Sequence, residues 1–240
     1  MSINTEKKKV SIVVDVWGDF AMFTQPTAKV ERVSYPIPTP SALRGILNAI
    51  YMKPKEFYYQ ITGVDIMNPI KTFSMKKNET KEKVDAKKPK PIVQIAEKGN
   101  KGLTQRNNIY LKNVYYRIYA DIVRRDDFKE RDIKALENQF NKRILKGKCF
   151  YQPYLGTREC MCFFSFPNEL RKPFNITKNF GVILYDVFDI TDNTPLNTDP
   201  KSRSGNIEIT FFEAKAVNGH IKIPAYDSDE LYSKRGNVNV

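Results

Sequence analysis

Two amphipathic helical patterns, each lying between strand-like runs, most restrict the folds open to this chain. The first begins at Thr39-Pro40-Ser41-Ala42, which has the form of a helix start, and Pro54 ends it after Lys53. The second runs from Phe128 to Lys146 and ends at Gly147. Apolar residues recur three and four positions apart in both, so they share one side of each helix. These residues are Leu43, Ile46, Leu47 and Ile50 in the first helix, and Ile133, Leu136, Phe140 and Ile144 in the second.

β-branched and aromatic runs alternate with the two helices. They predict strands over Val10–Val16, Val64–Phe73, Ile109–Val123 and Cys149–Phe166. The order strand, helix, strand, insertion, strand, helix, strand is typical of a ferredoxin-like unit. We therefore predict an α+β fold, with an antiparallel sheet and two helices in a domain of residues 1–180.

Residues 181–240 are predicted to form a small C-terminal β-sheet domain. Val182–Ile190 is an apolar strand, and Ile207–Phe212 and His220–Ile223 form a terminal pair. Asn218-Gly219 between them is a strong two-residue hairpin signal.

A basic insertion occupies about residues 76–102. Between Lys76 and Lys101 the chain holds nine Lys and four acidic residues. Two interpretations stay open: a loop that becomes ordered on a partner, and a solvated loop that contacts nothing.

The composition favours a globular nucleic-acid-binding protein. The 240 residues carry a net charge of +13, with thirteen Tyr, fifteen Phe and one Trp. Cations hold phosphates and aromatic rings stack on bases, although ribosomal and membrane-surface proteins share this composition. No apolar run approaches the roughly 20 residues of a membrane helix, and Asp15 interrupts the only apolar stretch that could serve as a signal peptide. Three cysteines argue against a disulfide scaffold, so a cytoplasmic location is expected.

Most familiar catalytic sets are missing from the sequence. The single histidine, His220, directly follows the hairpin turn and is interpreted as a turn-flanking polar residue. Cys149, Cys160 and Cys162 lack paired metal-ligand spacing, so we expect half-buried or buried thiols and no metal site. The chain has neither a phosphate-binding glycine loop nor a dinucleotide fingerprint, so no cofactor is expected. The reactive side chains that remain are those of Lys, Arg and Tyr. They could support RNA cleavage by the 2′-OH, because this reaction needs a base and a cation that stabilises the phosphate.

Several strings resemble the CRISPR-associated Cas-five proteins of the d subtype, found in type I-C systems. They are spread along most of the chain and are Val16–Phe23, Val30–Pro36, Thr39–Leu47, Ala49–Pro54, Met67–Ile70, Leu111–Val114, Phe140–Phe150 and Phe211–Ala214. The most diagnostic is Gln152-Pro153-Tyr154-Leu155-Gly156-Thr157-Arg158-Glu159.

The resemblance implies an RNA-recognition-like ferredoxin domain and an unusual activity. Members of this subtype cut precursor CRISPR RNA at the 3′ base of the repeat hairpin, without metal, by 2′-OH attack. The protein then stays on the 5′ handle as a subunit of the surveillance complex, beside the backbone and large subunits, in antiviral defence. Double-stranded DNA is a further candidate partner, and no membrane partner is expected.

The resemblance also assigns site residues. The catalytic tyrosine of the family falls on Tyr51, and Lys112 is the first candidate for the phosphate-stabilising cation. Described members pair that tyrosine with a Lys-His which this chain lacks, and Tyr151 replaces another family histidine. The predicted RNA-binding residues are Arg32, Arg44, Lys53, Arg106, Tyr116, Arg117, Lys142, Arg143 and Arg158. Because the histidine is absent, the alternative is a handle-binding scaffold subunit that does not cut RNA.

Overall fold

A computed structural model describes residues 9–28, 31–80, 103–125, 128, 132–191 and 209–233. In these ranges the strands are β1 (Lys9–Ala21), β2 (Phe57–Ile66), β3 (Thr72–Thr80), β4 (Leu103–Arg124), β5 (Phe163–Ser165), β6 (Lys178–Asp186), β7 (Thr210–Val217), β8 (His220–Lys222) and β9 (Tyr232–Ser233). The helices are α1 (Pro40–Ile50) and α2 (Ile133–Leu145). Most of the predicted basic insertion, residues 81–102, lies outside the described residues.

One sheet holds these strands in the order β5-β1-β4-β2-β8-β7-β6, with β3 paired to β4 and β9 to β7. The paired strands are antiparallel, and α1 and α2 connect β1 to β2 and β4 to β5. The order β5-β1-β4-β2 with these two crossover helices is the ferredoxin-like arrangement. The predicted α+β fold is therefore confirmed.

Both helices pack on one face of the sheet, and that face forms the core. The apolar residues predicted to face inward are all buried, from Leu43 to Ile50 in α1 and from Ile133 to Ile144 in α2. Alternate residues of the central strands join them, including Ile12, Val14 and Val16 of β1. The opposite face, which we call the open face, carries the polar and aromatic residues at the intervening positions.

The start of α1 and the end of α2 follow the sequence signals, whereas α1 ends at Ile50 rather than at the predicted Lys53. The side chain of Thr39 accepts a hydrogen bond from the Ala42 N–H at 3.2 Å, which caps α1. Gly147 has a φ of +59°, the left-handed conformation that follows many helices. The second helix starts at Ile133 rather than at the predicted Phe128.

Several strand predictions were wrong in their boundaries, and β1 continues to Ala21 instead of ending at Val16. Val64–Phe73 contains the end of β2 and the start of β3 instead of one strand. In Cys149–Phe166 the regular strand is limited to β5, because this segment crosses the ends of other elements. The apolar strand predicted over Val182–Ile190 begins earlier, at Lys178, and ends at Asp186.

The predicted hairpin at Asn218-Gly219 is confirmed. Both residues have positive φ angles, 51° and 83°, as a tight turn between β7 and β8 requires. Strand β8 also pairs with β2, so the C-terminal strands continue the same sheet. The division into domains at residue 180 stays a prediction. No helix among the described residues has the length and apolar character needed to cross a bilayer.

Gly156 permits a close approach of the segment Gln152–Glu159 to the end of β1. Its φ is +91°, and a Cβ atom there would lie 2.0 Å from the carbonyl oxygen of Met22. The Met22 N–H donates to the Leu155 carbonyl at 2.9 Å beside it. A glycine is therefore required, and this contact holds Arg158 and Glu159 next to the sheet.

Two of the three thiols are buried, as predicted. Cys160 and Cys162 are 2% and 1% exposed, and burial raises the pKa of both, that of Cys162 to about 12. Cys149 is partly exposed.

The different exposure of the three thiols predicts that they are alkylated selectively. Because the thiolate is the reactive form, we expect iodoacetamide at pH 8 to modify Cys149 in the native chain and to leave Cys160 and Cys162 unmodified. All three should react after denaturation, and mass spectrometry of the digested protein gives the count. Rapid native labelling of Cys162 would contradict the structure around it.

Candidate RNA-processing site

Tyr51 lies where the two helices end. It directly follows α1, and its N–H donates to the Leu47 carbonyl at 2.9 Å. Its ring is 3% exposed and packs against Phe57, with ring centroids 5.2 Å apart. The Tyr59 hydroxyl donates to the Tyr51 carbonyl at 2.7 Å, and burial raises the pKa of Tyr59 well above its ordinary value.

Arg143 of α2 joins this group. Its guanidinium carbon lies 5.3 Å from the centre of the Tyr51 ring, within range of a cation–π interaction. Its Nη1 donates to the Ile50 carbonyl at 3.0 Å, so Arg143 binds the C-terminus of α1. The positive charge there also complements the helix dipole.

An open basic cavity of about 480 Å³ adjoins Arg143. Its lining is Gln139, Lys142, Arg143, Lys146, Lys148 and Cys149. Helical spacing brings Lys142 and Lys146 to the same side of α2, and Gly147 turns the chain so that Lys148 lies nearby. We call Tyr51 with these lining residues the helix-end site. It combines a phenol and several cations, which is the chemistry that an RNA phosphate requires.

Lys53 also follows α1, as the sequence predicted. Its Nζ lies 3.6 Å from a carboxylate oxygen of Glu56, and about half of its side chain is exposed. Lys53 is thus a partly neutralised cation at the surface near Tyr51.

Lys112 does not belong to the helix-end site. The Tyr51 ring contacts Phe57, which pairs with Arg124 at the end of β4. Lys112 lies twelve positions earlier on that strand, which corresponds to roughly 40 Å at the rise of an extended chain. The structure therefore separates the two residues that the sequence assigned to one catalytic pair.

A second basic group surrounds the β3–β4 pair. Arg32 and Arg106 both contact Glu79, at 3.5 Å and 3.2 Å. Lys77 Nζ donates to Glu159 at 2.9 Å, and Arg158 next to it is exposed. Three predicted RNA-binding residues, Arg32, Arg106 and Arg158, thus lie at the end of the sheet that carries Lys112.

Three other predicted contacts are held inside the protein. Arg44 makes two hydrogen bonds of 2.9 Å to the buried carboxylate of Asp186, which ties α1 to β6. Arg117 Nε donates to Asp15 at 2.7 Å, and its side chain is 12% exposed. Tyr116 is 3% exposed and faces the core, where burial raises its pKa. Because the Tyr116 ring is buried, it cannot stack on an RNA base in this structure.

The open face carries aromatic residues that are not in the predicted RNA-binding set. Phe163, Trp17 and Tyr115 are register partners on β5, β1 and β4, and their rings stack with centroids 6.0 Å and 5.5 Å apart. The Arg171 guanidinium lies 3.8 Å from the centre of the Tyr115 ring. The alternation of apolar and other residues along Val10–Trp17 could have predicted this face, because side chains two positions apart on a strand, such as Asp15 and Trp17, lie on the same side.

Among the described residues, no three His, Cys, Asp or Glu side chains are grouped to hold a metal ion.

Comparison with known proteins decides the family. The sequence profile of a CRISPR-associated family, Cas5d, matches residues 11–222. The chain belongs to the Cas5d family. This agrees with the resemblance carried by Gln152–Glu159 and the other strings.

Curated relatives of the Cas5d family extend over nearly the whole chain. A protein of Thermus thermophilus is 36% identical, with 91% of this chain and 93% of the relative covered. One of Mannheimia succiniciproducens is 33% identical, with 92% and 97% covered. Both relatives are named CRISPR pre-crRNA endoribonuclease Cas5d.

Solved structures support the fold. A crystal structure of a CRISPR-associated protein is 25% identical, covers 93% of this chain and 97% of its own, and superposes with a TM-score of 0.65. A functionally uncharacterized protein from Streptococcus mutans is 24% identical and superposes with a TM-score of 0.63.

Proposed function

We propose that this Cas5d chain is a metal-independent endoribonuclease that cuts precursor CRISPR RNA at the 3′ base of the repeat hairpin. It then remains on the 5′ handle as a subunit of the type I-C surveillance complex. The observation that carries the proposal is the match to two curated relatives over more than nine-tenths of the chain, both named pre-crRNA endoribonucleases. The helix-end site supports it, since cations line an open cavity there and one of them, Arg143, packs on the Tyr51 ring.

In the proposed reaction, the 2′ oxygen attacks the adjacent phosphorus and the bond to the 5′ oxygen breaks. The products are a 2′,3′-cyclic phosphate and a 5′ hydroxyl. Tyr51 acts as the proton relay, and Lys142, Lys146 and Lys148 place the phosphates. Arg143 is better placed than Lys112 to stabilise the phosphorane, because its guanidinium lies beside the Tyr51 ring while Lys112 lies twelve positions along β4 from the residue that pairs with Phe57.

A second candidate function is a handle-binding scaffold subunit that does not cut RNA. The burial of the Tyr51 ring favours it, because RNA must reach the phenol for Tyr51 to act.

Incubation with labelled repeat RNA in EDTA tests the proposal. We expect one cut at the 3′ base of the hairpin, with a cyclic phosphate on the upstream product. A repeat with a single 2′-deoxy nucleotide before the scissile phosphate is the matched control, and it should bind without being cut. Tight binding of the unmodified repeat with no product would overturn the nuclease and leave the scaffold subunit.

A further inference from the structure

The open face carries a row of charged residues that the helix-end site does not use. Asp15 of β1, Arg117 of β4, Asp65 of β2 and His220 of β8 are successive register partners across four strands. His220 Nδ1 lies 2.6 Å from Asp65 Oδ1, although the two residues are 155 positions apart in the chain. The row therefore ends in a histidine that is held by a carboxylate.

The contacts of Asp65 fix the orientation of the imidazole. Asp65 is 5% exposed, and its second oxygen accepts a hydrogen bond of 2.7 Å from the Tyr119 hydroxyl. Burial and this bond to Asp65 raise the pKa of Tyr119 to about 12, so Tyr119 stays protonated and donates. A carboxylate accepts hydrogen bonds, so Nδ1 carries a proton directed at Asp65 and Nε2 is left for a ligand.

His220 is held by its neighbours and is also partly open to solvent. Its side chain is 47% exposed. Gly63 makes room for the ring, because a Cβ atom at that position would lie 2.8 Å from His220 Cε1. The Tyr119 ring packs edge-on against the imidazole with centroids 5.7 Å apart. The imidazole is thus held in place by its neighbours, while about half of its side chain remains exposed.

The surroundings of His220 suit RNA. Lys222 lies two positions further along β8 and is exposed, whereas Ile221 between them is buried, so the cation shares a face with His220. The aromatic row of Trp17 and Phe163 runs beside the charged row, two positions along the strands, and Phe163 is 48% exposed. Rings for bases, a cation for phosphate and a histidine for proton transfer therefore lie on one face.

We infer that His220, oriented by Asp65, is the general base of a second centre that cuts single-stranded RNA on the open face of the sheet. This centre is separate from the helix-end site. Tyr51 packs at Phe57, and Asp65 lies eight positions later on β2, roughly 26 Å away and on the other face of the sheet.

The step at this centre is a transesterification without metal or redox chemistry. His220 Nε2 takes the proton of the 2′-OH, and the 2′ oxygen forms a bond to phosphorus. The bond between phosphorus and the 5′ oxygen breaks, the 5′ oxygen takes a proton from water, and His220 returns its proton to solvent. Lys222 offsets the negative charge of the phosphorane, and Asp65 stabilises the imidazolium.

The experiment uses the full chain, EDTA and a labelled, unstructured oligouridylate, with the all-deoxy oligomer as the uncut control. His220→Gln keeps a donor for Asp65 but lacks a base, so we expect the rate constant at saturating RNA to fall about 100-fold. The Kd should stay within about threefold. Added imidazole should restore cleavage by His220→Ala, which a structural role of His220 would not produce.

Two lysine variants and Tyr51→Phe complete the test. Lys222→Gln should lower the rate about tenfold, and Lys178→Gln, an exposed cation on β6, should leave it unchanged. Tyr51→Phe should retain oligouridylate cleavage, and His220→Gln should retain cleavage of the repeat hairpin. The inference is overturned if wild type leaves oligouridylate intact, if His220→Gln cuts it at the wild-type rate, or if His220→Gln changes the Kd alone. None of these results depends on whether the repeat is cut.

Discussion

Replacing Asp15 by alanine is expected to lower the free energy of unfolding by about 3–5 kcal/mol, the usual effect of breaking a buried ion pair. Asp15 is 0% exposed and accepts two hydrogen bonds from Arg117, at 2.7 Å and 3.1 Å. It accepts two more, from the Tyr115 hydroxyl at 3.1 Å and the Asn168 N–H at 3.0 Å. The alanine variant would leave the Arg117 guanidinium buried without its carboxylate.

Denaturant unfolding of matched variants measures this effect. Asp19→Ala removes an exposed carboxylate from the same strand and should change stability by less than about 0.5 kcal/mol. Combining Asp15→Ala with Arg117→Met removes both charges, so it should recover at least half of the loss. If Asp15→Ala unfolds within about 1 kcal/mol of wild type, the carboxylate does not hold the open face together.

Tyr51→Phe is expected to slow cleavage of the repeat at least tenfold, which corresponds to about 1.4 kcal/mol in the activation free energy. The ring would still pack against Phe57 and the Arg143 guanidinium, so folding and hairpin affinity should be retained. Only the phenolic oxygen is lost, and with it the proposed proton relay. Single-turnover cleavage at saturating protein separates this loss from any change in Kd.

Tyr232→Phe is the matched control, because it removes a hydroxyl from an exposed tyrosine of β9. Its cleavage rate should equal that of wild type. Wild-type cleavage by Tyr51→Phe would remove Tyr51 from the proposed mechanism. The remaining residues of the helix-end site could then be tested through Arg143→Gln.

Local sequence signals predicted the helices and the fold class. The spacing of Leu43, Ile46 and Ile50 and the stop at Gly147 are local properties, since one turn of helix brings those residues together. The hairpin at Asn218-Gly219 was predictable for the same reason, because positive φ angles depend on these two residues themselves. The order of strands and helices along the chain was then enough to predict the ferredoxin-like arrangement.

Strand boundaries were predicted less well where tertiary contacts override the local pattern. The segment from Cys149 to Phe166 contains apolar residues at strand-like spacing. Its conformation is set by Gly156 against Met22 and by hydrogen bonds between Leu155 and Cys160. Asn68-Pro69, a dipeptide typical of turns, lies between β2 and β3 and was the available signal for two separate strands.

The sequence by itself determined the fold class, the two core-forming helix faces, the basic charge and the family. The first three depend on residue spacing, element order and composition, and the family depends on motifs that occur in a fixed order along the chain. Only the tertiary structure decided which residues meet. It placed Arg143 on the Tyr51 ring and separated Lys112 from Tyr51 by about half the length of β4. It also brought Asp65 to His220, a histidine that its own neighbours in the sequence mark as an ordinary turn residue. Strand pairing joins residues across 155 positions of chain, and no local pattern along the sequence specifies such a contact.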